Sequence, residues 1–131
     1  MKNTLKNGLL SLFFILISVA VVAQKEVDKK VLKYCDEAKK AINLSDFKKA
    51  ENLLQKAFDK DTTYFDLYIV RGDIYSARMK SELAAESYLK AIKFSETPKP
   101  LLYFLAAGEE LRCGKYQEAY THYQIYVSQV G

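Results

Sequence analysis

The sequence predicts an all-α chain in which three antiparallel helix hairpins stack into a solenoid, and three observations carry that prediction. Ala50, Ala84 and Ala119 stand 34 and 35 residues apart, a period that belongs to stacked helix pairs. Around them apolar residues recur at spacings of three and four, which places them on one face of a helix. The stretch from Ala106 to Val127, AAGEELRCGKYQEAYTHYQIYV, shows a whole turn of the pattern: a striped segment, Gly114 as a left-handed stop, and a second striped segment.

Composition narrows the class. Half of the 131 residues are hydrophobic and 27% are charged, the balance of a folded chain rather than a disordered one. The length suits one domain. Met1 to Asn7 carries two lysines, Gly8 to Ala23 is uncharged, and Ala23 precedes Gln24. That is the layout of a secretory signal peptide cleaved after Ala23. The apolar run is shorter than the roughly 20 residues of a spanning helix. The expected organisation is therefore a signal peptide over 1–23 and a helical domain over 24–131. The protein would be exported, periplasmic or outer-membrane-associated, and would touch the membrane only through the signal segment before cleavage. Formal charge is +4, but Lys2 and Lys6 lie in that segment, and without them 18 basic residues face 16 acidic ones. This leaves no basic footprint for nucleic acid.

The first helix is predicted from Val27 to Asn43, with Val31, Tyr34, Ala38, Ala41 and Ile42 on its stripe, and Leu44-Ser45-Asp46 breaks it. Phe47, Ala50, Leu53, Leu54, Ala57 and Phe58 form the second stripe, which ends near Asp61-Thr62-Thr63. The third helix runs from about Tyr64 to Arg78, with Thr63 as N-cap and Asp66 completing a capping box. Ser81 caps a fourth that carries Leu83, Ala84, Tyr88, Ala91 and Ile92. After the Ser95–Lys99 link, Pro100 opens the fifth helix, since a first turn lacks internal N–H partners. The sixth runs from Tyr116 to about Gln129.

Written as units starting at Val31, Phe65 and Pro100, the columns agree. Position 4 holds Tyr34, Tyr68 and Tyr103; position 8 holds Ala38, Gly72 and Ala107; position 24 holds Leu54, Tyr88 and Tyr123. Large residues fill space and small ones let helix backbones approach. Over about residues 27 to 131 the chain resembles the tetratricopeptide repeats. The resemblance implies a right-handed superhelix whose first helices line a partner-binding groove. At positions 2, 5, 9 and 12 that groove would present Leu32, Cys35, Lys39 and Ile42, then Asp66, Ile69, Asp73 and Ser76, then Leu101, Phe104, Gly108 and Leu111. Family members that clamp a carboxylate tail use Lys and Asn at positions 5 and 9, where this chain has Cys35 and Lys39, so a tail-receptor role is disfavoured. Glu37 and Arg71 replace the usual leucine at position 7 and would lie on adjacent stacked helices, where an ion pair between repeats could form, of small worth if exposed.

No hydrolytic constellation emerges. His122 reads as a surface residue, Glu109 and Glu110 read as a solvated face, and no Gly-rich phosphate loop exists. No enzyme activity, cofactor or metal is expected. Cys35 and Cys113 would lie two repeats apart, beyond the roughly 7 Å Cα separation of a disulfide, and so are expected as free thiols. The functional expectation is an exported scaffold that binds other proteins in the cell envelope. The alternative is the N-terminal repeat module of a larger OmpA-like, peptidoglycan-associated protein. At the C-terminal end, position 27 changes from Ala57 and Ala91 to Tyr126, and Tyr123, Tyr126, Val127 and Val130 form an apolar strip. Such a strip predicts an interface, with self-association the simplest case.

Overall fold

A computed structural model describes residues 25–131; the segment read as a signal peptide lies outside the described residues. Among these residues there are six helices and no strand: α1 (Lys29–Asn43), α2 (Phe47–Phe58), α3 (Phe65–Ala77), α4 (Ser81–Phe94), α5 (Pro100–Arg112) and α6 (Tyr116–Val130). None is long and apolar enough to cross a membrane.

The helix starts are decided by local side chains. α1 begins two residues after Val27 because Asp28 caps it, accepting from the Lys30 N–H at 2.7 Å, while Val27 still packs against the core. Asp46 caps α2 in the same way, accepting from the Lys49 N–H at 3.1 Å. The capping box expected at Thr63 does not form. Asp61 accepts both the Thr63 N–H and hydroxyl at 2.7 Å, and Tyr64 becomes the N-cap without a side-chain bond. Ser81 is also not a cap: it lies inside the first turn, and Lys80 precedes it.

The three hairpin turns share one geometry. Ser45, Met79 and Gly114 occupy the same unit position and have φ of 58, 57 and 84°. The residue after each donates its N–H five residues back: Asp46 to the Ala41 carbonyl at 2.9 Å, Lys80 to Tyr75 and Lys115 to Glu110 at 2.8 Å. This is Schellman closure, which satisfies carbonyls a helix end leaves free. Only the third unit uses glycine, so Ser45 and Met79 bear the steric cost of a left-handed side chain. Met79 is 89% exposed, so its side chain contributes little packing in return. Met79→Gly is expected to raise stability by about 1 kcal/mol, read as a higher urea midpoint at unchanged slope. A lower midpoint would show that the turn is not held in this conformation.

Two apolar clusters make the core. The first joins Val31, Cys35, Ala38 and Ala41 of α1 to Ala50, Leu53, Leu54 and Ala57 of α2 and to Leu67, Val70 and Ile74 of α3. The second joins Tyr68 of α3 to Ala84, Tyr88 and Ala91 of α4 and to Leu102 and Ala106 of α5. Different faces of α3 thus serve the two clusters, and adjacent helix pairs pack throughout. Lys39 bridges to Asp66 at 2.8 Å, and Arg78 pairs with Glu51, so charged groups also join the first two hairpins. The Glu37–Arg71 pair that the sequence allows is not one of them. The Arg71 guanidinium lies 5.2 Å from the Phe58 ring centre and 4.8 Å from that of Tyr68, and its Nε donates to Ser87 Oγ at 3.2 Å. Two ring faces and a hydroxyl hold the cation where Glu37, 4.0 Å from Lys33 on its own helix, does not reach. The last hairpin differs from the others, because α6 buries only Ala119.

Candidate interaction surface

The positions expected to line a groove have three different fates along the chain. In α1, Leu32 is exposed and Lys39 and Ile42 are half-buried, but Cys35 is not on the surface. It is 1% exposed and shares the first cluster with Leu67, Val70 and Ile74, because α3 roofs over this part of α1. Burial pushes its thiol up to about 11, so it stays protonated at neutral pH and is not a reactive thiolate. Cys35 and Cys113 are both free.

In α3 the four positions are half-buried, and the three polar ones are engaged by neighbours. Asp66 accepts from Lys39 Nζ at 2.8 Å and from the Tyr64 hydroxyl at 3.3 Å. Asp73 accepts from the Tyr88 hydroxyl at 2.8 Å, and Ser76 donates to Glu109 Oε1 at 2.5 Å. Burial raises the Asp73 carboxyl above the usual carboxylate range, opposed by the Tyr88 bond. Burial is the largest influence on the Lys39 charge and works against it, yet the Asp66 bond and the surrounding electrostatic contributions together outweigh it and lift the ammonium above its ordinary value. Asp66 and Ser76 thus tie α3 to α1 and α5 of the neighbouring helix pairs, while Asp73 ties α3 to α4 within its own pair.

In α5 the same positions are open. Leu101, Phe104 and Leu111 are 56, 45 and 58% exposed, and at Gly108 a Cβ would meet nothing within 4 Å. Phe104 leans on Tyr126 with ring centres 5.1 Å apart. Between α5 and α6 a groove of about 460 Å³ is lined by Phe104, Gly108, Leu111, Tyr116, Tyr120 and Tyr123 with Ala107 and Ala119 beneath, and none of these is charged.

Along α6, Tyr123, Val127 and Val130 are exposed as expected, whereas Tyr126 is turned half-inward onto Phe104. Tyr116 and Tyr120, at 69 and 61% exposed, belong to the open side instead. Sequence reasoning missed them because it treated tyrosines as column-fillers. Their spacing from Tyr123 was the available signal.

Two further expectations are overturned. Glu109 and Glu110 are not a solvated face: they are 5 and 2% exposed. Neighbouring helical residues point about 100° apart, and α5 is covered on more than one side, so each carboxylate meets a different helix. Glu109 accepts from Ser76 on α3 and from Arg112 at 2.7 Å, while its Oε2 has no partner. Glu110 Oε2 lies 2.8 Å from Nδ1 of His122 on α6. His122 is correspondingly not a surface residue, its side chain being 21% exposed. The carboxylates do not face a common space in which they could act as an acid–base pair. Among the described residues no group of three or more His, Cys, Asp or Glu is arranged to hold a metal.

No protein-family model matches the chain, and the comparison with curated proteins gives no match. The functional reading therefore rests on this surface.

Proposed function

We propose that the chain is a protein-binding scaffold of the tetratricopeptide kind, exported to the cell envelope, whose first helices α1, α3 and α5 line a concave face of a right-handed superhelix. The supporting observation is that Leu101, Phe104 and Leu111 stand open together on α5, while the equivalent polar positions on α3 are engaged in holding the hairpins. Large apolar side chains gathered in solvent beside a polar rim are the composition of a protein contact, and aromatic ones supply the anchors. The partner contacts this face through the apolar side chains of α5.

A photo-crosslinking residue at Leu101 tests this in intact cells that express the chain with its own N-terminal segment. Leu101 does not line the groove between α5 and α6, so it reports the concave face alone. Discrete crosslinked species are expected from position 101 and none from position 48, an exposed lysine on α2. Equal crosslinking from both positions, or none from 101, would remove the proposal.

A further inference from the structure

The open side of α6 has a regular geometry of its own. Tyr116, Tyr120, Tyr123, Val127 and Val130 are 69, 61, 45, 41 and 53% exposed, and they succeed one another at spacings of four, three, four and three. That alternation is the seam along which two helices pack side by side. The only ionisable acid or base groups on the helix, apart from tyrosines, are Glu118 and His122, neither on the seam. His122 is turned toward Glu110. Gln117, Gln124 and Tyr126 flank the line. A two-fold pairing sets one patch against its own copy, so a charged seam would repel itself. This seam carries nothing to repel.

We propose that α6 pairs with α6 of a second copy of this chain along those five residues, with Phe104 and Leu111 forming the outer walls of the joint. This goes beyond the concave face by giving the protein a second surface, which borders that face at Phe104 and Leu111 and takes a different partner. Two heptads are few for an isolated coiled coil, but α6 is already folded against α5, so pairing does not have to order it. The opposite end of the stack does not fit as occupant. Units dock on the preceding one through positions 3 and 6, which are Leu67 and Val70 on α3 and Leu102 and Leu105 on α5. On α1 these positions are Lys33 and Asp36, both exposed, and their charges would have to be buried in an uncharged groove. A further repeat is also disfavoured, since Tyr126 stands where Ala57 and Ala91 are fully buried beneath their neighbours.

Sedimentation of the full chain at micromolar concentration is expected to give twice the chain's mass. Tyr120→Lys/Val127→Lys should sediment as a monomer with unchanged helical circular dichroism, because both side chains are exposed. In a Cys113→Ser background, Tyr123→Cys should form an intermolecular disulfide on mild oxidation, and Thr121→Cys, off the seam, should not. A monomeric wild type overturns the proposal. So does association that survives the double substitution, the result expected if residues 8–23 or the concave face held the copies together. A dimer in which position 123 fails to crosslink overturns the seam as well.

Discussion

Ala84→Asp is expected to lose about 3–5 kcal/mol of stability, on the scale of a charge buried without a partner. Ala84 is fully buried in the cluster that contains Tyr68, Tyr88, Leu102 and Ala106, so α3, α4 and α5 all meet near it. An aspartate there must either stay ionised in apolar surroundings or take up a proton, and its extra atoms must displace packed neighbours. Domains of this size are stable by only about 5–15 kcal/mol, so the variant should melt far below the wild type or show no cooperative transition. Lys80→Asp is the control. Lys80 is exposed and stands at the N-cap of α4 without a side-chain bond, so an aspartate can accept a first-turn N–H there and should leave the melting temperature equal or slightly higher. Equal melting of Ala84→Asp and wild type would mean that α4 does not pack between α3 and α5.

The fold was legible because packing leaves a periodic trace. Ala50, Ala84 and Ala119 fall on one column and are 0, 0 and 6% exposed, since close backbone approach demands a small residue whatever surrounds it. A column alone does not say whether a large residue is covered. At position 24, Leu54 and Tyr88 are 5 and 2% exposed but Tyr123 is 45%, because no further hairpin lies over the third unit in the structure. At position 5, Cys35 is buried and Phe104 is open for the same reason. Exposure at these positions was therefore legible on α5 and misread on α1, where α3 covers Cys35. Side chains that act across helices were the least legible. Nothing local distinguishes Glu109 and Glu110 from a solvated pair until α3 and α6 are in place to receive them. Likewise Arg71 left Glu37 for two rings contributed by α2 and by its own helix.

Gly72→Ala is expected to destabilise the chain even though alanine is the better helix former. A Cβ at Gly72 would stand 2.5, 2.7 and 2.9 Å from Cε1, Cδ1 and Cζ of Tyr88, so the ring or the helices must move. The ring is not free to do so: it is 2% exposed, and its hydroxyl is tied to Asp73 at 2.8 Å. Alanine recovers about 1 kcal/mol of helix propensity over glycine, and overpacking a tight core costs about 1–3 kcal/mol, so with the ring held in place the expected net loss runs up to about 2 kcal/mol. The other units show how the same space is otherwise filled. The first pairs Ala38 with the smaller Leu54, and the third pairs Ala107 with a Tyr123 that is still half in solvent. Gly108→Ala supplies the contrast, since a Cβ there meets nothing, and it should gain up to about 1 kcal/mol. Tyr88→Leu removes the clashing ring but leaves Asp73 without its hydroxyl donor, so it is destabilising by itself. Gly72→Ala/Tyr88→Leu rebuilds the alanine–leucine pair of the first unit and should lose clearly less than the two single variants added together. Urea midpoints for all four variants decide the matter. Strict additivity, or a Gly72→Ala protein as stable as Gly108→Ala, would show that Tyr88 does not press on α3.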